Sequence, residues 1–286
     1  MNYYENLLHG TKEFPIGVHD TLCESGFSLY PHLHREFEFL VLNKGRGKIF
    51  IDDVEYEINE GDAVFINSEA LHVGVSTDEN EAEFFAIVFA PEMFGSFGDD
   101  VIMNKYVLPI MNKRVGFQNI YRANIPWQQR VIELLMNIHE VYRLAKPCYE
   151  LRIKAMLMEA WQLCFENSVN VQNVVVADRS VEDMKKVFAY INKEYASQIS
   201  LGDMASQINM SRGYFCRRFS EIMHMTPFEY LMQVRIENSS CMLREGKLAV
   251  GEIALECGFN SFSYFSKTFK RFTGYTPSEY QKHIII

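Results

Sequence analysis

Two stretches near the C-terminus are one stretch written twice, 50 residues apart. Ser261, Phe265, Phe269, Thr276, Pro277, Glu279 and Tyr280 repeat Ser211, Phe215, Phe219, Thr226, Pro227, Glu229 and Tyr230. Lys267 stands where Arg217 does, and Ala254 pairs with Ala205 at an offset of 49, so one turn is a residue longer. Seven identities in one register mark two copies of a single folding unit. A solenoid needs at least three units to bury a continuous core, so two copies argue against that architecture.

Each copy reads as helix, tight turn, helix, capped stop. In the second, Ile253, Ala254 and Cys257 share one apolar face of a short helix. Gly258 supplies the backbone that a turn between crossed helices needs. Asn260 or Ser261 is placed to cap the next helix. Phe265, Phe269 and Phe272 recur at i, i+4, i+7 and face inward. Lys267 lies about 160–200° round that helix and points outward, flanked by Lys270 and Arg271. In the first copy Leu201–Ile208 is the propping helix, and Asn209, tolerant of positive φ, takes the place of Gly258. Ser211 caps the presenting helix, and Arg217 lies opposite Phe215 and Phe219. One helix props and the next presents cations to a groove, which is helix-turn-helix logic. On an isolated helix such cations would be a solvated face; their placement opposite an apolar stripe, twice, favours DNA. A helix over Thr226–Arg244 joins the copies and spans ~28 Å, close to one turn of DNA.

The run from Arg235 to Tyr280 resembles the signature of the AraC/XylS-type transcription regulators, and the resemblance extends from about Val181 to the end. It implies two helix-turn-helix units, about 200–223 and about 250–273, joined by a bridging helix at 226–244. Each would read the major groove on the same face of double-stranded promoter or operator DNA. By that resemblance Arg212, Gly213, Cys216 and Arg217 occupy groove positions in the first unit, and Phe262, Ser263 and Lys267 do so in the second. Ser211, Ser261, Arg218, Lys270 and Arg271 complete the DNA-facing set. An arginine paired bidentately with guanine discriminates by ~1–3 kcal/mol, while Lys270 and Arg271 suit phosphate. Gly213 can read no base with a side chain. Phe262 either meets a thymine methyl or packs on the neighbouring helix.

A net charge of −9, taken alone, argues against a nucleic-acid partner, but the charge is unevenly spread. Residues 181–286 carry 13 Lys and Arg against 11 Asp and Glu; residues 1–180 carry 15 against 26. Six of the 13 sit on the two presenting helices, and the local field sets phosphate attraction. The acidic N-terminal part is expected to stay off DNA. The whole chain's length of 286 residues is a prior for two domains. No apolar run approaches a membrane span, and MNYYENLLHG lacks the features of a signal peptide. Cys23, Cys148, Cys164, Cys216, Cys241 and Cys257 form no Cys-x-x-Cys and read as buried thiols of a cytoplasmic protein.

From Phe27 to Phe89 short β runs alternate with turn signals: Phe37–Leu42, Lys48–Ile51, Val54–Ile58, Ala63–Ile66 and Phe84–Phe89. Asn43–Gly45, Asp52–Asp53 and Asn59–Asp62 read as hairpin turns. This spacing predicts a barrel or jelly roll. Gly26, His32, His34, Glu38 and Gly45 fit the spacing of the first cupin motif, and Gly61 and His72 echo the second. That second half is degenerate, with Asn67, Glu69 and Ser76 where the pattern has Pro, Gly and Asn. Cupin enzymes hold a divalent metal with two His, a Glu and a third His, and alternate residues of a strand would let His32 and His34 point together. AraC-type regulators commonly carry a His-x-His-x-x-x-Glu run here without metal. Three readings of His32, His34, Glu38 and His72 therefore stand open: effector-pocket lining, structural support and a metal site. The resemblance to regulators with sugar-binding barrels implies a small polar effector such as a sugar, with Tyr30, Phe37 and Phe50 as candidate stacking platforms.

Phe97–Arg122 has no clear period and is expected to wrap the barrel. Pro126 opens a helix of about 18 residues with Val131, Leu134, Leu135, Ile138 and Val141 on one face. Pro147 opens a second, to about Asn167, with Leu151, Ala155, Met158, Leu163 and Phe165 among its apolar positions. The two read as an antiparallel pair and, by the resemblance, as a homodimer interface. The linker follows at 168–180. Ser180 then caps a helix over Val181–Tyr195, with Asp183 at its third position and Met184, Val187, Phe188 and Ile191 inward.

The expected fold is thus α+β and multidomain. A cupin-like β-barrel (jelly roll) at 1–125 and an antiparallel helix pair at 126–167 precede an all-α DNA-binding domain at 181–286. The expected function is a cytoplasmic transcription regulator controlled by a small-molecule effector, not an enzyme, with no cofactor and no membrane partner. Its partners are operator DNA, the effector, and a second copy of the chain, with RNA polymerase a further candidate. The rival reading is a metal-binding cupin, either a metal-responsive regulator or an enzyme domain fused to a DNA-binding module.

Overall fold

The computed structural model describes residues 9–24, 26–170 and 179–284. The chain divides into two compact units, one within 7–178 and one built on 179–286.

The first unit is two antiparallel sheets with helices on one outer face. The strands are β1 (Ile16–Cys23), β2 (Leu29–His32), β3 (Phe37–Lys44), β4 (Arg46–Ile51), β5 (Val54–Asn59), β6 (Ala63–Ile66), β7 (His72–Ser76), β8 (Ala82–Phe89), β9 (Val115–Gly116), β10 (Ile120–Tyr121) and β11 (Val169–Asn170). One sheet runs β1-β8-β3-β6-β10, the other β2-β7-β4-β5. The six residues Phe37–Leu42 of β3 are buried on both faces, which is why the run FEFLVL carries only one polar residue. Phe37, Phe39 and Val41 join a core with the helices; Leu40 and Leu42, of opposite parity, join Ile49, Ile51 and Ile58 between the sheets. Glu38 has that inward parity. Of the three expected hairpins, only Asp52–Asp53 closes one, joining β4 to β5 with φ of 46° and 71°, the twist a two-residue hairpin turn needs. The turns at 43–45 and 59–62 instead carry the chain from one sheet to the other, since β3 and β6 lie in the first sheet and β4 and β5 in the second. Turn chemistry marks where a chain reverses, not which edge it returns to.

Phe97–Arg122, featureless by period, contains a π-helical turn (Met103–Val107), a short helix α1 (Leu108–Met111), and β10, which extends the first sheet by pairing with β6. The helix pair is α2 (Pro126–Leu144) and α3 (Tyr149–Glu166). On α2 the expected face is inward: Val131, Leu134, Leu135 and Ile138 are buried. On α3 the inward face differs from the expected one. Ile153, Leu157, Ala160, Trp161 and Cys164 are buried, while Leu151 and Ala155 are exposed. Trp161 decides the face: its ring packs 4.8 Å from Phe37 and 4.5 Å from Phe94, and its indole N–H donates to the Tyr106 carbonyl at 3.0 Å. A helix apolar on two sides buries the side that fills the larger void. The expected linker begins as structure, because β11 pairs with β9; residues 171–178 lie outside the described residues.

The second unit is all-α: α4 (Arg179–Glu194), α5 (Leu201–Ser206), α6 (Arg212–Met223), α7 (Pro227–Glu245), α8 (Val250–Glu256), α9 (Phe262–Thr273) and α10 (Pro277–Ile284). The side chain of Ser180, expected as the cap of α4, lies outside the described residues. The repeated Thr-Pro-x-Glu explains itself. The N–H and hydroxyl of Thr226 donate to the Glu229 carboxylate at 2.8 and 2.7 Å, and Glu229 N–H donates to Thr226 Oγ1 at 3.3 Å. Thr276 and Glu279 repeat this at 2.8, 2.7 and 3.3 Å. Proline at the first helical position has no N–H to orphan. The repeated tyrosines close the same corners: Tyr230 packs 5.9 Å from Phe219 and Tyr280 5.3 Å from Phe269.

Among the described residues no helix is long and apolar enough to cross a membrane. Of the six cysteines only Cys164 and Cys257 are buried, and burial pushes both thiols up to about 12. Cys148 is exposed, and Cys23, Cys216 and Cys241 are half-buried, so the expectation of six buried thiols does not hold.

Both tryptophans, Trp127 and Trp161, lie in the first unit. Thr226→Ala should therefore destabilise only the second unit, by about 1 kcal/mol. In urea, the transition followed by far-ultraviolet circular dichroism should broaden or split, while the tryptophan-fluorescence midpoint stays fixed.

Candidate DNA interface and barrel site

The two presenting helices α6 and α9 start at equivalent places and expose equivalent faces. Asn209 and Gly258 hold positive φ, 54° and 80°, in the turns that precede them. Gly258 is needed twice over, since a Cβ there would fall 2.7 Å from the Ala196 carbonyl oxygen. Ser261 caps α9 as expected, accepting from Tyr264 N–H at 3.4 Å. Ser211 occupies the same position before α6 but makes no side-chain capping bond. Phe215, Phe219, Phe265 and Phe269 are fully buried; Phe272 is only half-buried, with the Arg271 guanidinium 4.8 Å over its ring.

Opposite those stripes stand the expected readers. Arg217, Lys267 and Lys270 are exposed and make no ion pair among the described residues. Lys267, Lys270 and Arg271 line a concavity of about 510 Å³ with Phe262, Ser263, Ser266 and Thr276. Arg217 lines one of about 680 Å³ with Tyr214, Arg218 and the turn at Asn209 and Met210. Phe262 is 53% exposed, so solvent, not a neighbouring helix, takes most of its ring. Gly213 faces open space. Arg212 is placed differently from expectation. It is exposed, but its guanidinium leans back over Gly202 in the first turn of α5, on the side of Asp203. Arg218 is half-buried and pairs with Glu221 at 3.3 Å, and Cys216 is half-buried. Two residues escaped the sequence argument. Tyr214 and Tyr264 are 50% and 54% exposed in the first turn of each presenting helix, and they too sit 50 residues apart. About half of each ring is open to solvent, while Tyr264 also packs 6.2 Å from Phe259.

In the barrel, His32, His34, Glu38 and His72 come together with one ligand atom from each inside 4.8 Å. They gather at one end of the sandwich, from the end of β2, the segment after it, the start of β3 and the start of β7. His34 lies beyond the end of β2, so strand alternation is not what pairs it with His32; their ring centroids are 5.6 Å apart. His34, Glu38 and His72 are all but sealed from solvent, and His32 is half-buried. Glu38 Oε2 lies 2.9 Å from His34 Nε2 and 3.4 Å from His72 Nε2, and His72 Nε2 lies 3.0 Å from His32 Nε2. Burial alone would push the Glu38 carboxyl up, but the hydrogen bonds and charge of His34 and His72 overcome it and hold the carboxyl well below the usual range. Glu69, standing where the cupin pattern has glycine, adopts φ of 60°. Of the expected stacking platforms, Phe37 is fully buried in the barrel–helix core and open to no ligand, while Tyr30 is 43% exposed.

Comparison with known proteins agrees with this division. Residues 20–160 match the family described as AraC-like ligand binding domain, and residues 204–283 match the family described as helix-turn-helix domain. The chain belongs to the AraC family of transcription regulators. Relatives of this AraC-family regulator span nearly its whole length. An uncharacterized HTH-type transcriptional regulator, YdeC of Bacillus subtilis, is 26% identical over 283 residues, 98% of this chain and 96% of its own. The Msm operon regulatory protein of Streptococcus mutans is 26% identical, covering 98% and 99%. The melibiose operon regulatory protein of Escherichia coli is 23% identical, covering 88% and 83%. The chain is thus a DNA-binding regulator with a ligand-binding domain, and its fold is the α+β arrangement expected from the sequence.

Arg217→Ala and Lys267→Ala should each weaken binding to a duplex selected from a random library, by about 5- to 150-fold for loss of a base contact. Lys270→Ala should instead weaken all duplexes alike and lower the slope of log affinity on log salt by about 1. Fluorescence anisotropy at several fixed salt concentrations separates the two.

Proposed function

We propose that the regulator places α6 and α9 in successive major-groove segments of an operator, with Arg217 and Lys267 on base edges and Lys270 and Arg271 on phosphates. The observation that carries this is the doubled presentation of exposed cations opposite a buried aromatic stripe, on two helices bridged by the 19-residue α7. Phe262, exposed beside Lys267, suits a thymine methyl. The hydroxyls of Tyr214 and Tyr264 suit phosphate oxygens flanking each reader.

The barrel is the sensing unit and the His–Glu cluster its ligand site, in a cytoplasmic protein with no catalytic role. A sugar effector draws support from the relative named for the melibiose operon. A metal-responsive regulator is the second reading, favoured by the convergence of four ligand atoms within 4.8 Å. RNA polymerase is a further partner consistent with a regulator of transcription.

The active form is a homodimer formed through α3. Leu151 (70% exposed) and Ala155, also exposed, follow one another at i and i+4 on a face of α3 that the barrel leaves uncovered. Leu151→Glu should leave tryptophan fluorescence unchanged and convert a dimer to monomer in sedimentation equilibrium. A wild-type chain that sediments as a monomer at micromolar concentration, with operator bound or not, would sink the dimer. The whole reading is tested by anisotropy with the selected duplex, which should bind at least a thousandfold tighter than random sequence at physiological salt.

A further inference from the structure

The imidazoles of the barrel cluster have their protons assigned by the backbone. His32 Nδ1 lies 2.8 Å from the Tyr30 carbonyl oxygen, His34 Nδ1 3.1 Å from that of Glu36, and His72 Nδ1 3.0 Å from that of Ala70. A carbonyl oxygen only accepts, so in each ring Nδ1 carries the hydrogen and donates. In a neutral imidazole Nε2 is then a bare lone pair. All three Nε2 atoms turn toward the same small space: His32 and His72 meet at 3.0 Å, and His34 and His72 meet Glu38 Oε2 at 2.9 and 3.4 Å. Such close approach requires positive charge among these atoms, either a proton shared on an imidazole, as in the His34–Glu38 contact, or a metal ion.

We infer that this charge is a single divalent transition-metal ion, held by Nε2 of His32, His34 and His72 and by Oε2 of Glu38. The inference rests on the second reading of the barrel, a metal-responsive sensing unit, and names the atoms that would hold the ion. Metal–nitrogen and metal–oxygen bonds of about 2.0–2.2 Å place neighbouring ligands of one ion about 3–3.5 Å apart; three of the pairs here are 2.9, 3.0 and 3.4 Å apart, and all four atoms lie within 4.8 Å. Three imidazoles and one carboxylate suit zinc, nickel, cobalt, iron or manganese and not the oxygen-seeking magnesium or calcium. The carbonyls on each Nδ1 are the outer partners that orient metal-binding histidines. Glu38 comes from β3 of one sheet, and His32 and His72 from β2 and β7 of the other, so the ion ties the two sheets together at the mouth of the sandwich.

The test uses the full-length chain, stripped with chelator, dialysed, and titrated separately with zinc, nickel, cobalt, manganese and magnesium. Elemental analysis after gel filtration should find one transition-metal ion per chain and no magnesium. Bound cobalt should give the visible absorption of a nitrogen- and oxygen-ligated ion, a readout that needs no variant. His72→Gln and Glu38→Gln should each weaken metal binding at least about tenfold, the low end for disturbing a metal's surroundings, with tryptophan fluorescence unchanged. Sub-stoichiometric metal in a folded wild-type chain overturns the inference, as does equal binding by both variants. Anisotropy with the selected duplex, run on stripped and loaded protein, reads the sensing function separately. Metal bound at one per chain with unaltered DNA affinity would support the site and defeat the sensing reading. Absent metal with intact DNA affinity would defeat the site and leave the DNA-binding reading standing.

Discussion

The DNA-binding unit depends on one buried guanidinium. Arg235, near the middle of α7, is 7% exposed. Its Nε donates to the Tyr195 carbonyl and its Nη2 to that of Ser197, each at 2.8 Å, which fixes the chain between α4 and α5. The same guanidinium lies 5.7 Å over the ring of Phe259, and a Cβ on Gly258 would strike its Nη2 at 2.9 Å. One side chain of the bridging helix therefore holds the entry to the first reader and the turn before the second. Burial lowers the Arg235 pKa from its ordinary value, yet it faces carbonyl dipoles, not a carboxylate. A buried cation so satisfied is costly to replace, since its loss orphans two carbonyls at about 1–3 kcal/mol each. Arg235 therefore ties α7 to the chain between α4 and α5 and to the turn before α9.

The barrel depends on a comparable economy in β3. A strand buried on both faces must serve a helix-packed core on one side and the space between the sheets on the other. Glu38 is the exception to its apolarity, and it falls at the end of the strand where the histidines gather. A carboxylate at an interior position is tolerable only when paired. Placing it at the strand's first inward position puts its partners within reach from β2 and β7 and leaves Leu40 and Leu42 to fill the interior.

The repeat made the second unit legible because its identities are caps, turns and buried rings, each tied to a local geometry that sequence spacing encodes. Thr226 and Thr276, Asn209 and Gly258, and the paired phenylalanines all act within a few residues of themselves. Less local features were harder to read. The segments at 43–45 and 59–62 carry real turn chemistry, but whether a turn closes a hairpin or changes sheets depends on partners far along the chain. β1 was hidden because its outer half is solvated and its alternation imperfect. The inward face of α3 is chosen by Trp161 meeting Phe37 across more than 100 residues, which periodicity within the helix cannot rank. The cupin-like spacing brought His32, His34, Glu38 and His72 together on paper; the carbonyl on each Nδ1, which decides what the cluster can hold, comes from backbone geometry alone.

The two readers are built alike but are not equivalent, and the differences carry information. Where the first presents Gly213 and a folded-back Arg212, the second presents Ser263 and an exposed Phe262. Where the first carries Arg217, with a planar fork suited to guanine, the second carries Lys267, a point charge with three rotatable donors. Had the units been redundant phosphate clamps, drift to such different chemistry at the outward positions would still leave both faces cationic and apolar rings covered. Phe262 leaves about half of its surface in water, although its ring packs 6.3 Å from Phe265, and Gly213 presents no side chain at the equivalent face. Both are readily understood if each unit meets a different set of bases. On the proposed placement of α6 and α9, the two halves of an operator met by one chain would therefore differ in sequence.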